Sequence, residues 1–214
     1  MSLILVPESA QVADYLLPSA VVDTDHPAIA DLAPTLVAGL PASVDRAKVL
    51  YEWVRDRIAH TCDIQAQPVT CTASEVLNSG HGFCFAKAHL LAALLRSCGI
   101  PTGFCYQRLI FDDADPTFHT LHGLNAVYMK ESEESDRWIR LDARGNKPGV
   151  QAEFGCNLPG PDFIYREQLA FPIRPHLGEI DYPTIFTQPH AAVVAALQIH
   201  PTAADLIAHL PTTL

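Results

Sequence analysis

No stretch of this 214-residue sequence carries five basic residues in a row, and acidic side chains outnumber basic ones 24 to 14, for a formal net charge of −10. That balance argues against nucleic acid or an anionic lipid surface as the main partner. No window reaches the roughly eighteen uninterrupted apolar residues of a membrane span. The opening residues, MSLILVPESAQVADYLL, have no positively charged leader and are broken by Pro7 and Glu8, so no signal peptide is read there. The six cysteines, at 62, 71, 84, 98, 105 and 156, form no CxxC pair. Free thiols in a reducing cytoplasm are therefore expected. There is no internal repeat, low-complexity tract or long linker. The 49% hydrophobic and 18% charged residues fit a soluble globular chain with one sizeable core.

Periodicity divides the chain into a helical part and a later strand-rich part. Residues 2–6 and 20–23 are short β-like pieces. HPAIADLAPTLVAGL (26–40) has helical spacing but contains Pro34, which predicts a broken helix. Val44, Ala47, Leu50, Val54 and Ile58 recur at three- and four-residue steps, so a helix is predicted over 43–59 with Ser43 as its N-cap. TASE (72–75) has the form of a capping box and predicts a short helix from Ala73 to about Asn78. GHGFCFAKAHLLAALLRSCGIPTG (80–103) predicts a helix from Cys84 to about Cys98, closed by Gly99 and Pro101. It is apolar on most faces and should be the buried central helix. GFCYQRLIF (103–111), LHGLNAVYM (121–129) and RWIRLDA (137–143) read as strands, the last two joined by the charged loop KESEESD. DDADPT (112–117) is a polar turn. Residues 144–188 are rich in proline and glycine and read as irregular, with helices returning at 190–198 and 202–209. Helices followed by an antiparallel sheet make the fold class α+β.

Cys84 stands where chemistry is plausible. A helix N-terminus presents partial positive charge and unpaired N–H groups, which favour a thiolate. Gly80 and Gly82 let the chain turn and leave room for a substrate. The Cys84 N–H also suits an oxyanion. His122 begins one strand and Asp142 ends the next, which puts them at the same end of a hairpin. Cysteine, histidine and carboxylate in that arrangement have the logic of nucleophile, base and orienter. Asn125 and Asn146 are alternative orienters. His119 is read as a cleft-lining neighbour and His81 as surface. Arg144 suits either a substrate carboxylate or a solvated surface. The other five cysteines read as structural. Neither DDAD, without calcium-loop spacing, nor the His119/His122 pair is taken as a metal site, and no cofactor is expected.

The segments GHGFCFAKAHLLAALLRSCGIPTGFCY, LHGLNAVYM and WIRLDARGNK, in that order, resemble the core of the transglutaminase-like superfamily over about residues 43–148. The resemblance implies a papain-like architecture, with a Cys-bearing helix on an antiparallel sheet. It also implies that Cys84, His122 and Asp142 are the triad. It leads us to expect a second oxyanion donor upstream of the nucleophile, for which Gln67 and Gln65 are the candidates. Animal members are larger and calcium-dependent; the compact bacterial-type cysteine peptidases are the nearer match. The expected division is an N-terminal extension (1–42), a catalytic core (43–148) and a C-terminal segment (149–214) folded over that core. The expected activity is cysteine-dependent acyl transfer or hydrolysis of an amide or peptide substrate, with hydrolysis favoured. A non-catalytic peptide-binding module and an arylamine N-acetyltransferase-like enzyme are the alternatives.

Overall fold

The computed structural model describes residues 3–130, 136–155 and 165–214. Cys156 and most of the KESEESD loop lie outside the described residues. Four helices come first: α1 (Pro27–Leu36), α2 (Ser43–Arg57), α3 (Ala73–Ser79) and α4 (Cys84–Ser97). Two-residue strands β1 (Val6–Pro7), β2 (Ala59–His60) and β3 (His81–Gly82) are set among them. The main strands β4 (Thr102–Asp112), β5 (Asp115–Lys130) and β6 (Asp136–Leu141) follow, then short β7 (Ile180–Asp181) and β8 (Thr184–Ile185). Helices α5 (Ala191–Ile199) and α6 (Ala203–Ala208) complete the set. The antiparallel sheet has the order β6-β5-β4-β7, so the α+β reading holds.

Helix α4 is the centre of the core. Every residue from Phe85 to Arg96 is buried, which suits its Ala/Leu composition. Its polar members must therefore find partners inside. Lys87 donates its ammonium to the carbonyls of Ile58 and Arg55, at the end of α2. His89 Nδ1 donates to Cys71 O at 2.7 Å. Gly99, at φ +72°, closes the helix in the left-handed region, as its position suggested.

Most predicted elements form, with informative differences. The Thr72/Glu75 capping box makes both of its hydrogen bonds and starts α3. Helix α1, however, runs unbroken through Pro34. That residue is in the last turn, where only one ladder bond is lost, and His26 caps the start by accepting from Ala28 N–H. Helix α2 begins at Ser43 itself, with Ala42 in the capping position and no side-chain cap. Strand β5 starts six residues before the predicted 121, because the DDAD turn is tight and the chain re-enters the sheet at Asp115. Residues 20–23 form no strand, although Val21 and Val22 are buried.

The C-terminal part packs on the rest. β8 pairs in parallel with β1, and β7 pairs antiparallel with β4. Val193, Leu197, Leu206 and Leu210 join the main core. Arg96 ties two distant segments and the start of β4 to the end of α4. Its guanidinium donates to Thr102 O (2.6 and 3.1 Å), Thr187 O (2.6 Å) and Leu17 O. Arg96→Met would leave these carbonyls without their donor in the interior. We expect a loss of about 3 kcal/mol or more, measured as a lower urea midpoint with an unchanged slope.

Candidate active site

The site forms where the first turn of α4 meets β5. Cys84 is the first residue of α4 and is half-buried, unlike the twelve residues that follow it. The preceding residue, Phe83, takes the N-cap position and offers no side-chain acceptor. No side chain therefore caps the N–H groups of the first turn. Gly82 is tightly packed: a Cβ there would lie 3.2 Å from Thr70 Oγ1 and 3.3 Å from the Ala86 methyl.

Gly123 brings β5 to this helix. A Cβ on Gly123 would lie 2.7 Å from the Phe85 ring and 3.3 Å from Phe85 Cα. Only glycine permits that approach, and the flanking residues in the two elements are Cys84 and His122. Strand β6 ends with Leu141 opposite Asn125, three positions beyond His122 along β5. The edge of β5 at His122 is thus free of β6, and Asp142 follows directly from the strand end.

His122 Nε2 donates to Asp142 Oδ2 at 2.8 Å, and both side chains are buried. With Nε2 committed, Nδ1 is the nitrogen left for the Cys84 thiol, which acts on the same imidazole. Burial pulls the His122 imidazolium down. The Asp142 and Cys84 charges and hydrogen bonds outweigh this and push it up to about 10. Burial would raise the Asp142 carboxyl. The His122 charge and hydrogen bond, with the N–H groups of Ala170 (3.0 Å) and Arg144 (3.1 Å), instead hold it below the usual carboxylate range. Tyr51 OH donates to the Asp142 carbonyl at 3.1 Å, which fixes the backbone there. Phe171 meets the His122 ring edge-on at 5.2 Å.

These residues open on a cleft of about 600 Å³ with apolar walls including Phe85, Leu109, Phe171 and Leu210. Arg144 lines it, as do Lys147, Cys62 and His60. Arg144 makes a two-pronged ion pair with Asp63, which Lys147 shares at 2.7 Å. The structure does not bring the other expected residues here. Gln67 is exposed and outside the lining, and its carbonyl accepts from Ala203 N–H at 2.7 Å. Gln65 is likewise exposed. His119 lies three positions from His122, so strand alternation turns it away. Its Nε2 donates to Leu177 O at 3.0 Å. Asn125 donates to Ala88 O and Gly103 O, and Asn146 to Ala152 O, so neither meets His122. His81 is buried rather than on the surface, hydrogen-bonded to the Thr61 hydroxyl at 3.2 Å.

His60 is the cleft residue that the sequence analysis passed over. It pairs with Gly82 in the parallel β2–β3 bridge. A two-residue strand has no periodicity to reveal it; the only available signal was a histidine two positions beyond the end of the α2 pattern.

A cysteine opening a buried helix, packed on an antiparallel sheet that carries a histidine and an aspartate, defines the papain-like class of α+β fold. Within that class the chain belongs to the transglutaminase-like superfamily, whose model matches residues 30–143, over half the sequence. Its fold is similar to a solved structure from Cytophaga hutchinsonii called a "Putative Cysteine Protease", with TM-score 0.51 and 19% identity over 66% of this chain. A "putative protease" from Parabacteroides distasonis is less similar, with TM-score 0.39 and 13% identity over 76% of this chain. The chain spans 46% and 30% of the lengths of those two proteins. No curated protein matches in sequence. No helix among the described residues is long and apolar enough to cross a membrane.

The proton held by His122 links this site to stability. The unfolded chain releases it near 6.5 and the folded chain near 10. The contribution is therefore full below about pH 6.5 and is lost as pH rises toward 10. In Asp142→Asn the His122 Cε1–H resonance should titrate well below its wild-type position, and the decline of stability across that pH window should flatten. NMR titration and urea unfolding at a series of pH values measure the two effects.

Proposed function

We propose that the protein is a cysteine-dependent acyl-transfer enzyme that hydrolyses an amide or peptide bond through a Cys84–His122–Asp142 triad. The observation that carries this reading is that Cys84 and His122 line one cleft, with the Asp142 carboxylate buried against His122. There the buried carboxylate fixes the imidazole through one nitrogen and leaves the other for the thiol. A passive peptide-binding cleft has no need of that set.

The steps follow from the geometry. The proton between Cys84 and His122 is held by His122, and Asp142 stabilises the thiolate–imidazolium pair from which Cys84 attacks. The thiolate sulfur attacks the substrate carbonyl carbon, and the carbonyl electron pair moves to oxygen. The Cys84 N–H donates to that oxyanion. The tetrahedral centre collapses, the C–N bond breaks, and His122 returns the proton to the departing amine. An acyl-thioester remains on Cys84. Water, deprotonated by His122, attacks it and releases the acid and the thiol. We favour water over an amine as acceptor because it is always present. Arg144 and Lys147 share one carboxylate, Asp63, so two cations face one anion. This local excess of positive charge, opposite in sign to the Asp112, Asp113 and Glu179 carboxylates elsewhere in the lining, suits a carboxylate on the substrate.

Incubation with p-nitrophenyl acetate, followed by peptide mass spectrometry, tests the reading. We expect one acetyl group on Cys84, lost over time in water, absent in Cys84→Ala and strongly reduced in His122→Ala. Added methylamine should not convert the product from acetate to the amide. An unacylated Cys84, together with iodoacetamide labelling no faster than at the other cysteines, would sink the proposal in favour of a binding module.

A further inference from the structure

The Cys84 N–H supplies one hydrogen bond to an oxyanion, and a tetrahedral intermediate is held far better by two. Gln67 does not line the cleft. Resting on the acyl-transfer reading above, we propose that His60 is a catalytic residue whose Nε2–H is the second donor to the oxyanion formed at Cys84.

Three observations converge on His60. The first is position: it lines the same cleft as Cys84 and His122. The second is tautomer. The Cys62 N–H donates to His60 Nδ1 at 3.3 Å, so Nδ1 is the acceptor nitrogen and the ring proton sits on Nε2. Among the described residues Nε2–H has no hydrogen-bond partner in the protein. It is an unengaged donor on a residue that lines the cleft of the nucleophile.

The third is rigidity. An oxyanion donor works because it is already in place when charge develops. His60 is tied to the turn before Cys84 on both sides, through Ala59 N–H to Gly80 O (2.9 Å) and Thr61 N–H to Gly82 O (3.1 Å). Lys87, one turn into α4, grips the Ile58 carbonyl just before β2. The face of the ring is packed by Phe83, edge-on at 5.8 Å. The donor and the nucleophile thus belong to one hydrogen-bonded unit and move together.

Protonation agrees. Burial, with the nearby charges of Arg144, Lys87 and His122, pulls His60 down to about 3, against an opposing pull from Asp63. The ring is neutral at any working pH. It offers a hydrogen bond without competing with His122 for the thiol proton.

A purely structural His60, acting only to bind the Cys62 N–H at the following turn, makes a different prediction. The experiment compares two reactions of Cys84 in wild type, His60→Ala and His60→Gln, with folding checked by circular dichroism. Acetylation by p-nitrophenyl acetate passes through a tetrahedral oxyanion. Alkylation by iodoacetamide is a displacement and does not. Loss of the donor should slow acetylation about 10²-fold or more while alkylation stays within about threefold. His60→Gln, which keeps an N–H donor, should recover part of the loss. Equal losses in both reactions, or acetylation within about twofold of wild type in His60→Ala, would overturn the assignment. Failure of the acyl-transfer reading would look different: wild type itself would gain no acetyl group on Cys84.

Discussion

The burial of helix α4 is the constraint from which the rest of the structure follows. A helix apolar on nearly every face must be surrounded, so α1, α2 and α3 pack against it and the sheet and C-terminal segments close the remaining sides. Only the first residue, Cys84, and the last, Ser97, escape full burial. A single thiol is thereby left at the surface of an otherwise sealed element, at the end where backbone N–H groups lack acceptors and negative charge is favoured. The polar residues inside the helix are consequences of the same burial. Lys87 and Arg96 have no water to face, so they hold carbonyls from neighbouring segments and fix those segments in turn.

Two histidines share the cleft in opposite states. His122 is buried and His60 partly so, and burial alone would favour the neutral form of each. His122 stays cationic because it has a buried carboxylate on one side and a thiol on the other. His60 has an amide N–H on one nitrogen and cations among its neighbours. The pKa of the same residue type is thus raised at one position of the cleft and lowered at another. The difference lies entirely in what each ring touches.

Much of this was legible in the sequence, for physical reasons that can be named. The capping box at Thr72–Glu75, the terminator at Gly99 and the apolar run of α4 are local signals, and each appears in the structure as expected. The meeting of His122 and Asp142 depended on hairpin geometry, which a two-strand pattern already constrains. What could not be read was non-local. The placement of His60 depends on a parallel bridge to residues 22 positions downstream. The distance of Gln67 from the cleft depends on its backbone pairing with α6. Pro34 misled because a proline rule that holds in mid-helix is weak in the last turn. Gly123 stands in the sequence as a lone glycine within a strand; only the facing Phe85 explains it.

The guanidinium of Arg96 also has a bearing on the order in which the molecule takes shape. Its partners Leu17 and Thr187 lie 79 and 91 positions away, and Tyr15 reaches Ile185 across 170. Closing such long loops must precede any energetic return from them, which slows folding. During synthesis the N-terminal segment and α4 emerge long before Thr187 does. Until the later residues arrive, the last turn of α4 carries a cation with an unfinished set of acceptors. That end of the helix must therefore remain hydrated. That end of the core is closed by Thr187, ninety positions after the last residue of the helix it helps to enclose.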